Sequence, residues 1–275
     1  MRSYILFCLL TFALVVTGLI PAAGRSLQQA NAPAAQVQIN QPAHRAEPPS
    51  ATASAEELEK RADELHAQKD YLDALDYYRA ALTKNSTSAQ LWNKAGIPEL
   101  QLERYKEARK DFEKATKLDR LFAVAYNNLG VACYEERNYG RALREYLHAI
   151  QLDSTRASFY SNLGAAYFGK KEFDKATVAY SRAVQLDPDI FESSSRTGIA
   201  AQLSMREDRA HFDYLLAKLY ARNGLTDRSL ESLRRAMEEG YDRIHDVYKD
   251  PEFADVRKDS RFTELMASRL PSISE

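Results

Sequence analysis

Cys133 and His148 stand fifteen residues apart, the pair of residue types that a thiol enzyme uses as nucleophile and activating base. Four more histidines, His44, His66, His211 and His245, would bind a metal if cysteines or carboxylates joined them at ligand spacing. The spacing does not support either chemistry. No H-E-x-x-H, paired-cysteine zinc pattern, G-x-S-x-G or glycine-rich phosphate loop occurs in the 275 residues. Cys133 shares a column with Leu65, Tyr167 and Tyr220, which reads as core, and a buried thiol without a nearby cation stays protonated and inert. The expectation is no catalytic residue, no metal site and no cofactor, because nucleophile, base and stabiliser are not assembled.

Composition narrows the partners. Thirty-eight Lys+Arg against 39 Asp+Glu leave a net charge of -1, so no long-range positive field draws the chain to nucleic acid. With 45% hydrophobic and 28% charged residues, the chain fits a soluble protein with a real core.

The first 24 residues read as an export signal. Arg2 precedes an apolar run, and Ala22-Ala23-Gly24 offers a small-residue cleavage site. The alternative is an uncleaved anchor over residues 4–20, which at 17 residues just reaches the length that spans a bilayer. Cys8 lies inside this run, so after cleavage Cys133 would be alone and no internal disulfide would form. Residues 25–54 hold eight Ala, five Gln and four Pro with few large apolar side chains, too little to offset the entropy of ordering, and are expected to form a disordered linker.

From Ala55 the sequence repeats every 34 residues. Ala74, Ala108, Ala142 and Ala176 form one column, Ala81, Ala115, Ala149 and Ala183 another, and Tyr78, Phe112, Tyr146 and Tyr180 a bulky one. Upstream stand Leu58, Trp92, Tyr126 and Tyr160, then Ala62, Gly96, Gly130 and Gly164, and at the turn Tyr71, Tyr105, Tyr139 and Phe173. Small residues at a helix crossing beside large ones are what ridges meeting grooves require, so each unit predicts an antiparallel helix pair. Asp187-Pro188 stops the fourth unit.

These columns resemble the tetratricopeptide repeat, with its W-x2-L-G-x2-Y…A-x3-F…P layout; the match is fullest over 157–190. The resemblance covers 55–190 as four units and returns at 210–243 as a fifth, displaced by 53 residues across an insertion at 191–209. Pro98 and Glu99 break the motif in the second unit, and a kink is expected there. After Gly240, Asp250-Pro251 and Asp259 read as starts of short helices in a C-terminal cap over 244–275. The resemblance implies an all-α helix-turn-helix solenoid of about five repeats plus capping helices.

It also implies a concave face lined by the first helix of each unit. Its positions map to Asn93, Ile97 and Leu100; Asn127, Val131 and Tyr134; Ser161, Ala165 and Phe168; and Tyr214 and Lys218. Tyr134 and Phe168, 34 apart, are expected side by side. Asn128 and Asn162 match the asparagine of the family's carboxylate clamp, but its Lys and Arg positions read Asn93, Ile97, Ser158 and Asn162, so a clamp is not expected. Charge runs from Glu56, Glu59 and Asp63 at one end to Lys218 and Arg222 at the other. The expectation is an exported bacterial scaffold, periplasmic or extracellular, or tethered to the inner membrane by residues 4–20. It would bind a protein or peptide in its groove, with no nucleic acid and no membrane contact beyond that anchor. The competing expectation is an accessory or ligand-binding module that acts through the 191–209 insertion.

Overall fold

The computed structural model describes residues 46–193 and 206–268. The leader, most of the linker, the greater part of the insertion and the last seven residues lie outside the described residues. Every described residue belongs to one compact unit, Pro42–Glu275. Among the described residues the chain is helical, without strands, and none of these helices is long and apolar enough to cross a membrane.

Four helix pairs follow one another: α1 (Ala55–Ala67) with α2 (Tyr71–Lys84), α3 (Ala89–Gln101) with α4 (Tyr105–Leu118), α5 (Ala123–Glu135) with α6 (Tyr139–Leu152), and α7 (Ala157–Gly169) with α8 (Phe173–Leu186). A short α9 (Ile190–Ser193) follows, then a fifth pair, α10 (Arg206–Arg222) with α11 (Thr226–Glu238). Three 3-10 turns and α12 (Ser260–Ala267) follow among the described residues.

The pairs form for local reasons. Ser54 starts α1 with a capping box, its hydroxyl accepting from the Glu57 amide at 3.2 Å while its own amide donates to Glu57 at 2.8 Å. Each first helix then ends in a left-handed residue: Lys69, Glu103, Arg137, Lys171 and Gly224, with φ between 58° and 73°. At α5 the Asn138 amide returns to the Cys133 carbonyl at 2.9 Å and the Arg137 amide to Tyr134 at 2.8 Å. That double closure turns the chain into the next helix.

The small-residue column brings the two helices of a pair together. A Cβ added at Gly164 would lie 2.4 Å from the Tyr180 ring, and one at Gly130 2.5 Å from Tyr146. Glycine is therefore needed for close approach, and the aromatic ring fills the space it leaves.

In the second unit α3 continues through Pro98 to Gln101. Glu99, buried where other units carry an apolar side chain, accepts from Arg79 of α2 at 3.2 Å, while the same guanidinium forks onto buried Asp111 of α4 at 2.9 and 2.6 Å. Two buried carboxylates around one arginine thus join α2, α3 and α4. Before the first pair, residues 46–53, the end of the expected linker, lie along it. Tyr77 donates to the Glu47 carbonyl at 3.0 Å, Lys84 to that of Ala51 at 2.8 Å, and Ala46 and Ala53 pack on its core.

The fifth pair joins through aromatic side chains. His211 and Phe212 of α10 meet Phe168, Phe173, Tyr180 and Phe191, with ring centroids 4.2 to 6.0 Å apart. Arg228 binds the Pro188 carbonyl and Asp189. Beyond Gly240 the cap buries Val247, Phe253, Val256 and Phe262 against α10 and α11. Asp259 caps α12 by accepting from the Arg261 amide at 3.0 Å. Asp250 makes no such cap; its carboxylate turns to α10 instead.

Candidate functional site

First helices of neighbouring units meet one another, α3 with α5 and α5 with α7, more closely than the second helices do. The stack therefore curves with the first helices inside, and their free faces line a groove.

Along this inner face runs a chain of amides. Asn128 donates to Asn93 at 3.0 Å, Asn127 to Asn128 at 3.3 Å, and Asn162 to Asn127 at 2.9 Å, linking α3, α5 and α7. Asn93 and Asn127 are buried beneath it, whereas Asn128 and Asn162 stay partly open. Each of these hydrogen bonds uses one N–H and one lone pair of a carbonyl oxygen, so the open pair keeps further donors and acceptors for a ligand. Ile97, Leu100, Val131 and Tyr134 line the same face half-buried. Burial, with the negative charges of Glu135 and Asp208, raises the Tyr134 phenol pKa and keeps it neutral.

The remaining expected groove residues have other fates. Ser161 and Ala165 are buried. Phe168 is 3% exposed and belongs to the aromatic junction with α10, so it does not stand open beside Tyr134. The reason is that α10 presents Phe212 and His211 to it. Tyr214 is also 3% exposed; Tyr241 of the cap stacks on it at 4.4 Å, and its hydroxyl donates to Asp250 at 2.8 Å. Lys218 pairs with Asp250 at 2.9 Å and reaches Glu252 at 3.6 Å. At the opposite end Lys94 binds Glu59 and Asp63, each at 2.7 Å. The charge read along the groove is thus largely matched within the chain at both ends.

Lys94 is absent from the sequence reading, and Asn128 and Asn162 entered it only as the clamp asparagine; the three share one 34-residue column, and their bonds reach across 35 residues to the neighbouring column. A second depression, of about 920 Å³, lies where α7 and α8 meet the end of α10, lined by Tyr160, Leu163, Tyr167, Val178, Arg182 and Arg222.

The thiol and two of the histidines are used in packing. Cys133 is fully buried, and burial pushes its pKa up to about 11. His148 lies 4.2 Å from the Tyr126 ring and His211 4.2 Å from Phe173. Among the described residues no three His, Cys, Asp or Glu side chains gather to hold a metal.

Comparison with known proteins agrees with the helix pairs. Models described as tetratricopeptide repeat match residues 89–120 and 157–190, and one described as TPR repeat matches 132–171. Among solved structures, MamA (residue 41 to its end) from Desulfovibrio magneticus RS-1 is 19% identical, covering 69% of this chain and 97% of its own at a TM-score of 0.50. YrrB, described as a TPR protein with an unusual peptide-binding site, is 21% identical over 71% of this chain and 91% of its own, with a TM-score of 0.47. At these identities the likeness is one of fold. No curated protein matches.

Proposed function

Because this chain is a tetratricopeptide-repeat protein, we propose that it is a non-catalytic, exported scaffold that holds a protein or peptide partner against the inner face of its second to fourth units. The observation that carries this reading is the run of half-buried Ile97, Leu100, Val131 and Tyr134 beside the partly open amides of Asn128 and Asn162. Apolar side chains supply burial and amides supply direction, the combination by which a groove takes up a helix or an extended segment. Export rests on the leader sequence, and the place of action is the periplasm or the cell exterior.

The test replaces Ile97 and Val131 together by lysine. At half-buried positions a lysine stem lies along the surface with its charge in water, so the fold is retained while the apolar groove is spoiled. Wild type and Ile97→Lys/Val131→Lys, both as residues 42–275, are used as bait in the native envelope, with thermal melts confirming that both fold. A partner retained by the wild type and lost by the variant is the expected result. Identical retained proteins would overturn the groove assignment.

A further inference from the structure

The second helix of each unit turns one face to solvent, and four repeat positions recur on it. In α4 all four are lysines: Lys106, Lys110, Lys114 and Lys117. The same positions carry one arginine each in α6 and α8, Arg144 and Arg182, and no Lys or Arg in α2. Steps of four, four and three residues keep the lysines on one side of the helix, over about 16 Å at the helical rise. All four are exposed, and none makes an ion pair with any described residue.

The acids of α4 are mostly used elsewhere. Asp111 faces the interior on Arg79, and Glu113 lies between Arg109 and Arg141 at 2.9 and 2.7 Å. Glu107 alone stands exposed within the helix beside the row. The stack thus draws carboxylates inward and leaves the ammonium groups outside. At the end of the row the chain turns through Leu118, Arg120 and Leu121. Leu121 is 77% exposed and Leu118 38%, and Leu121 is the most exposed large apolar residue among those described.

We propose that this edge of the second unit docks on an anionic lipid bilayer, with the lysine row at the headgroups and Leu118 and Leu121 entering the acyl boundary. Lysines beside exposed leucines fit a surface that is charged outside and apolar beneath. A nucleic acid would reward the charge and leave the leucines in water. The near-zero net charge limits attraction to about a Debye length, so this edge acts only at short range. This face is opposite the groove, so the inference stands apart from the partner reading.

The test is sedimentation of residues 42–275, which lack the leader, with vesicles of phosphatidylcholine alone or with about one third phosphatidylglycerol. The expected result is binding to the anionic vesicles only, weakening as salt rises. Changing all four lysines to glutamine lowers the partition coefficient at least about 100-fold, and changing them to arginine retains it. Leu118→Ser with Leu121→Ser lowers it about tenfold with the salt dependence kept. All six positions lie on the surface, and equal melting temperatures check the fold. Equal binding to neutral vesicles, no binding to either kind, or an unaffected glutamine variant would each overturn the proposal. So would failure to bind anionic vesicles by a wild type that retains single-stranded RNA.

Discussion

The inner faces of the third and fifth units occupy equivalent repeat positions and end differently. In α5, Val131 and Tyr134 remain half-open, and Asn127 is tied to its neighbours by amides. In α10, Tyr214 and Lys218 match Asn127 and Val131; Tyr214 is buried beneath Tyr241, and half-buried Lys218 is held by Asp250 and Glu252 of the cap. A repeat column therefore names a position on a helix, and whether that position can bind a partner depends on what the rest of the chain lays over it. The fifth unit resembles a groove already filled, with acidic and aromatic side chains of the chain itself as the occupant.

The comparison breaks most sharply at the junction. Phe168→Ala removes a buried ring shared by α7 and α10 and is expected to cost about 3–5 kcal/mol, read as a lower urea midpoint. Val131→Ala, one unit earlier on the open face, is expected to cost about 1 kcal/mol. Equal losses would mean that Phe168 belongs to the groove after all.

The filled end is also expected to respond to pH. Burial raises the Asp250 pKa, but its bonds to Lys218 and Tyr214 outweigh burial and hold it below the usual value. A carboxylate with a depressed folded-state pKa stabilises fully above the ordinary range, and that contribution is lost as pH falls through about 4 and below. Asp250→Asn is expected to lower stability by about 1 kcal/mol near neutral pH, after allowance for solvent screening. Thermal melts should show this gap closing toward about pH 3. A gap that stays constant with pH would remove the ion pair from the account of the cap.

The smallest effect sharpens the comparison at the turns. Arg137 adopts a φ of 58° in the third unit, where the fifth carries Gly224 at 73°. Arg137→Gly is expected to be neutral or to stabilise by up to about 1 kcal/mol, whereas Gly224→Ala destabilises by about the same amount. Denaturant melts of the two variants decide it; like signs would mean that side-chain interactions, not backbone strain, govern these turns.

Much of the fold was legible because the 34-residue period is a property of adjacent chain. Gly130 and Tyr146 could be matched as small and large partners from spacing alone, and the structure places their atoms in contact. Asp259 was legible as a cap for the same reason, its bond spanning two residues. The groove was less legible. Phe168 and Tyr134 hold the same column, yet Phe168 is taken into the core by side chains more than forty residues away. The lysine row escaped notice because whole-chain charge sums over residues that the stack turns inward.

What the sequence by itself determined is the helix pair and its repetition, since helix periodicity, close glycine approach and left-handed turns each act within one unit. Only the tertiary structure decided which inner positions stay open, which carboxylates meet which cations and where Asp250 points. Those outcomes depend on surfaces brought together from distant segments, and a column of letters does not record which neighbour arrives.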